Sequence, residues 1–419
     1  MSHRLTAAWL LSALLSVGAS GVAQPKLPRF SEAPHNYWER PVRDPFTAIK
    51  DDLASGRRKL DTSSEKAFLR DVLKALDIPA TSQVLVFSTT SLQLSLINYR
   101  NPRALYFNED VYVGWVPGGK VEVISFDPDM GGVFHIFDIP RTARPPSIER
   151  SRRCMNCHAG SDVGRVPVLL AKSVIPGPNG GSLDAYRIGE TGHAIPFSER
   201  FGGWYLTGRH NLRKHWGNRT GELSPSGLRT TTVAPGQHYD WNRYPVSTSD
   251  ILPHLLHEHQ VGFVNRAIAA TYRARALLNK DSGAGAPSAA TQRILDADAD
   301  ALARYLLFAG EAQLPDGGIQ GDPAYIRDFL RKRRPAQDGR SLRDFELKTR
   351  LFRHRCSYMV HSLAFAGLPG ELKKRVLLRM ARALDTRNPD PQFANIPPAE
   401  KETIKRILRE TLRTDFIRI

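Results

Sequence analysis

Cysteine is scarce in this chain, with three thiols in 419 residues. That excludes the disulfide framework of a small secreted scaffold. None is needed, because a chain of this length buries about three-quarters of its unfolded surface on folding. Methionine is absent from the whole stretch between Met155 and Met359. After the first twenty residues no apolar run reaches 18 residues, which excludes a polytopic membrane protein. There is no Walker loop, dinucleotide fingerprint or G-x-S-x-G elbow, and Gly118-Gly119-Lys120-Val121 lacks the Ser/Thr of a phosphate loop. No internal repeat and no βαβ alternation occur, which argues against solenoids and doubly wound sheets. Acid is the minority charge: 42 Asp+Glu face 59 Lys+Arg, a formal +17. At 41% hydrophobic residues the chain is nonetheless globular in composition.

The amino-terminal segment reads as an address. Arg4 gives a positive start, Leu5 to Val17 an apolar core, and Gly21-Val22-Ala23 a small-x-small cleavage site. The expectation is a signal peptide over residues 1–23, cut near Ala23, and an exported, periplasmic protein. The mature charge is then +16. From Arg331 onward there are 22 Lys/Arg against 10 Asp/Glu, so most of the excess sits at the end of the chain.

The pattern predicts an α+β fold in three regions. Residues 24–140 hold two helices and an antiparallel meander. Asp44-Pro45 opens the first helix and Gly56 closes it; Thr62 and Glu65 read as a capping box for the second, over 63–76. β-type runs follow at 84–87, 104–107, 111–116, 121–126 and 133–139, separated by Gly/Pro/Asp turns. Residues 141–250 are irregular and rich in Gly, Pro, Arg and His, with a plausible strand at 166–175; so long an aperiodic stretch is usually functional. Residues 251–419 form a basic helical region, with helices expected at 253–279, 290–309, 323–333, 342–366, 370–385 and 399–413. The 342–366 helix reads clearest, with Phe345, Phe352, Met359 and Leu363 on one side, Ser341 as its cap, and Cys356 a buried thiol.

Two of the three cysteines fall within Cys154-Met155-Asn156-Cys157-His158, a C-x-x-C-H motif. Two residues between the thiols, on one helical turn, let both sulfurs reach the two vinyl groups of one haem. The next residue then lies under the ring, where His158 coordinates iron. Zinc would need two more ligands, and no second C-x-x-C exists. A thioredoxin-like pair would need a βαβ surrounding. A simple disulfide leaves the histidine unexplained.

This motif, following a secretion signal, resembles the haem attachment site of c-type cytochromes. The wider stretch from Ala104-Leu105-Tyr106-Phe107-Asn108 to Phe201-Gly202-Gly203-Trp204-Tyr205-Leu206-Thr207-Gly208-Arg209-His210 resembles a group of uncharacterised exported bacterial proteins with one such motif. The resemblance implies one covalent haem c held by Cys154, Cys157 and His158. The chain departs from small cytochromes c, which are short and helical with the motif near the amino terminus.

A sixth iron ligand from methionine just downstream is excluded. His193, His210 and His215 lie in the aperiodic region; His210 is favoured, because Gly202-Gly203 would let backbone approach a flat ring. Arg150, Arg152, Arg153 and Arg209 are candidate partners for haem propionates. His254, His257 and Glu258 lie at i, i+3, i+4, a weak metal pattern read as an ordinary polar helix face.

The expected function is periplasmic electron transfer by a single-haem protein. The basic carboxy-terminal helices would steer it to an acidic redox partner or an anionic membrane surface. The alternative is a haem-dependent oxidoreductase, peroxidase- or oxidase-like, with an open distal site, because the scaffold is large for a carrier. A haem-free polyanion binder ranks last, and export argues against a nucleic-acid partner.

Overall fold

The computed structural model describes residues 27–89, 91–141, 145–187 and 192–412. The expected signal peptide lies outside them. The chain folds as α+β: a seven-stranded antiparallel sheet in the amino-terminal half and helices in the carboxy-terminal half.

Helix α1, Pro45–Ala54, starts where Asp44 accepts the N–H of Phe46 at 2.9 Å and Pro45 takes the first helical position. Helix α2, Glu65–Ala75, is capped by Ser64, whose hydroxyl accepts the N–H of Ala67. Thr62 is not the cap; the nearer hydroxyl wins. The meander follows as β1 (Val84–Val86), β2 (Arg103–Phe107), β3 (Val111–Trp115), β4 (Val121–Asp127) and β5 (Gly131–Phe137). Strands β6 (Glu149–Arg150) and β9 (Trp204–Tyr205) complete the edges, in the order β6-β5-β4-β3-β2-β1-β9. Between them in sequence lie the helical turn α3 (Met155–His158) and the hairpin β7 (Ser173–Pro176) and β8 (Ser182–Arg187). Of the expected 166–175 strand only the end pairs. A second hairpin, β10 (Arg219–Ser224) and β11 (Gly227–Thr232), packs on the first, with the Thr220 hydroxyl donating to the carbonyl of Pro176 at 2.9 Å.

The sheet is buried on both faces. Leu85, Tyr106, Val113, Trp115, Val123 and Tyr205 face α1 and α2, against Phe46, Phe68 and Leu69. Alternate residues (Val86, Phe107, Tyr112, Phe126 and Trp204) face the helical half. This alternation is the two-residue period of a pleated strand read out on two cores.

Helix α4, Ile251–Lys280, runs through the middle of that second core. It is buried on nearly every side, so His254 and His257 are interior residues (2% and 4% exposed), not a solvent face. Helices α5 (Ala289–Leu306), α6 (Pro323–Leu330), α8 (Gly370–Ala383) and α9 (Pro398–Thr411) match the periodicity. Asp250 starts α4: its carboxylate accepts the N–H of Leu252 and, from a distant loop, that of Asp322. Asp250→Ala removes both, and we expect a loss of about 1–3 kcal/mol, read as a lower urea midpoint at unchanged slope.

The expected helix over 342–366 does not form. Glu346 accepts backbone N–H groups of Lys348, Thr349 and Arg350, folding the chain into a tight reversal. Leu347 takes φ +63° there, and Phe345 bridges Phe352 with their rings stacked at 5.5 Å. A hairpin brings these two aromatics together directly, where a helix would space them two turns apart. Only a 3-10 turn at Tyr358–His361 and the short α7, Leu363–Ala366, capped by Ser362, are helical. Cys356 is fully buried as expected, though on irregular backbone.

Candidate functional site

The five residues of the C-x-x-C-H motif form one helical turn. Ser151, held to β5 through its N–H to the carbonyl of Phe134, lies within reach of the N–H of Cys154 at 3.4 Å. The amides of His158 and Ala159 then bond back to Cys154 and Met155, both at 3.0 Å. Met155 anchors the turn in a cluster with Tyr37, Met130, Val133 and Phe134. That leaves the other side of the turn outward. Cys157 is exposed, Cys154 and His158 are half-buried, and both cysteines are free thiols.

His158 is tied to Val168 in both directions. The N–H of Val168 bonds to the carbonyl of His158 at 3.0 Å, and Nδ1 of His158 lies 2.8 Å from the carbonyl of Val168. A carbonyl only accepts, so Nδ1 carries the proton and Nε2 keeps its lone pair. Burial pushes the imidazole pKa down to about 4, so it is neutral at pH 7. Phe134 packs on the ring at 4.6 Å. The loop is fixed from outside as well: Asn265 of α4 exchanges two hydrogen bonds with the backbone of Leu169.

Beside the turn lies the helix-facing side of the sheet. Leu105 and Ile124, on central strands, are only partly buried there. Between them Arg103 lies flat over Gly114, where a Cβ would fall on its guanidinium, and pairs with Glu122. Both charged side chains are about 10% exposed. Farther along is a small pocket lined in part by Lys172, Arg200, Trp204, His254, His257 and Glu258. Arg200 and Glu258 pair across it at 3.0 Å.

The donor set fits covalent haem: two free thiols on one turn and an imidazole whose Nε2 makes no hydrogen bond among the described residues. Cysteine redox chemistry fits less well, because burial raises the Cys154 thiol pKa, the reverse of an activated thiolate. Among the described residues no group of three or more His, Cys, Asp or Glu is placed to hold a metal ion.

The other candidates separate. His210 and His215 form a pair at 5.1 Å, and each Nδ1 accepts a backbone N–H, from Leu212 and Gly217. A neutral ring accepting at Nδ1 carries its proton on Nε2 and has no lone pair there. No contact links either ring with His158. His193 is fully enclosed, with Nδ1 at 2.8 Å from Nδ1 of His259, whose Nε2 meets Ser357. Nε2 of His254 bonds to Ser249 and to the carbonyl of Tyr205. Gly202 and Gly203 are explained by close backbone packing on Val174 and Ser88. Arg150 and Arg152 stack on Tyr37 and Trp38, and Arg153 and Arg209 are exposed. Sequence reasoning missed Arg103 and Glu122. Their only signal was a charged pair inside strands otherwise apolar on that face.

The carboxy-terminal charge is partly spent internally. Arg375 pairs with Asp296 and Glu371, Arg379 with Asp300 and Asp390, and Arg355 with Glu400. Among the described residues no helix is long and apolar enough to cross a membrane.

No protein-family model, curated protein or solved structure matches this chain.

Proposed function

We propose that this chain is a covalently haem-binding, c-type cytochrome-like protein that transfers electrons after export to the periplasm. One observation carries the reading: the two free thiols share a single helical turn with an imidazole whose Nδ1 faces the Val168 carbonyl. That bond fixes both the ring's direction and its tautomer, the arrangement found behind metal-bound histidines. Bound haem supplies a one-electron iron couple.

The chain's own residues do the rest. Cys154 and Cys157 would hold the haem through two thioether bonds, each S–H adding across one vinyl group, and Nε2 of His158 would ligate its iron. Val168 and Asn265 hold that ring against α4, and Phe134 limits its rotation. The Arg103–Glu122 pair sets fixed charge on the floor beside it. The basic surplus after Arg331 supports an acidic redox partner or an anionic membrane surface.

The test is expression with a periplasmic haem-attachment system, then a haem stain after denaturing electrophoresis. The expected result is stain at the mature mass, lost completely in Cys154→Ser/Cys157→Ser. Stain that survives the double substitution, or never appears in wild type, sinks the reading. A second reading, a haem-dependent oxidoreductase with an open distal site, draws on the pocket beside His257 and Arg200. It requires a high-spin holoprotein that binds carbon monoxide.

A further inference from the structure

We infer that His257 of α4, opposite His158 across the cleft, supplies the second axial ligand of the haem. The inference rests on the haem reading above and assigns the position that reading leaves open.

Three observations place His257. It is buried, lines the pocket, and among the described residues makes no hydrogen bond, whereas His254 and His259 are bonded at Nε2 and His193 is bonded at Nδ1 with its Nε2 enclosed in the interior. Its nitrogens are therefore uncommitted. It sits on the same sheet face as the C-x-x-C-H turn. His257 packs on Phe107 of β2 and Tyr112 of β3, at 5.4 and 5.9 Å between ring centroids, whereas His158 packs on Phe134 of β5. Two to three strand intervals separate these contacts, about 10–14 Å.

Helix α4 gives an independent measure. Asn265, which holds the segment bearing Val168 and Leu169, lies eight residues after His257 on the same stripe of the helix. Eight residues rise about 12 Å. The two estimates agree on the separation of the two sets of contacts across the sheet face. Arg103 lies between them and acts electrostatically on both rings, which supports their common neighbourhood. Trp204 bounds the far side, 5.7 Å from the His257 ring. His210 and His215 meet none of these conditions.

The test uses holoprotein with covalent haem, read by absorption and electron paramagnetic resonance. The expected wild type is low-spin and six-coordinate, and does not bind carbon monoxide until His257 is replaced. His257→Ala should become high-spin and bind carbon monoxide, while His210→Ala keeps the wild-type spectrum. Should His257→Ala fail to fold, His257→Met decides: it should stay low-spin with a raised midpoint potential, as methionine–histidine ligation gives. A high-spin wild type, or an unchanged spectrum and potential in the His257 variants, overturns the inference with the haem reading intact. Absence of covalent haem on the denaturing gel overturns the haem reading instead.

Discussion

Acidification from pH 7 to pH 5 unfolds the haem-free chain, with an expected midpoint of about pH 5. The cause is an interior stocked with neutral histidines. His35, His135, His158, His215, His257 and His361 are each held at about 4, and His254 and His259 at about 3, with desolvation the leading cause throughout. Unfolded, each takes up a proton near its ordinary value of 6.5. Their contribution is therefore complete above pH 6.5 and is lost as pH falls from there toward 4. Three buried carboxyls work the other way. Asp110 and Asp250 are raised to about 6 and Glu311 to about 7, again chiefly by burial, so the folded state binds their protons first. Eight histidines against three carboxyls leave a net of about five protons, or roughly 7 kcal/mol per pH unit. Against a total stability of about 5–15 kcal/mol, one to two units below pH 6 suffice. Far-UV circular dichroism against pH measures it, and a fold intact at pH 4 would show the histidines not to be buried as described.

Glu122→Gln costs about 3–5 kcal/mol of folding free energy. The substitution keeps the shape and removes the charge, leaving the Arg103 guanidinium under the cleft without its counter-ion. Breaking a buried pair from one side is worth that much because the remaining charge stays desolvated. Removing both sides is different. Arg103→Met/Glu122→Leu puts apolar volume over Gly114 and is expected to lie within about 1 kcal/mol of wild type, or above it. Denaturant titration of wild type, Arg103→Met, Glu122→Leu and the double variant gives the coupling. A single-variant cost below 1 kcal/mol would mean that water reaches the pair.

Much of this architecture is local and was legible. The meander strands, the cap at Asp44, and five of the six expected carboxy-terminal helices follow from two- and 3.6-residue periods and turn residues. The region 342–366 was misread because heptad-spaced aromatics satisfy a helix and a stacked hairpin alike. The choice went to three backbone donors gathered by Glu346. Ser64 displaced Thr62 for an equally local reason, too fine for spacing rules to separate.

The site divides along the same line. Sequence alone determined that Cys154, Cys157 and His158 share one helical turn, since their spacing sets it, and that no methionine follows nearby. Only the tertiary structure decided which histidines are available. A ring's tautomer depends on the partner it meets, and those partners come from elsewhere in the chain: the carbonyl of Val168 for His158, the carbonyl of Tyr205 and Ser249 for His254, and Ser357 and His193 for His259. His257 meets none, and faces the cleft because α4 crosses the sheet at that point. Burial and hydrogen-bond pairing are sums over distant neighbours, and no local window of the sequence contains them.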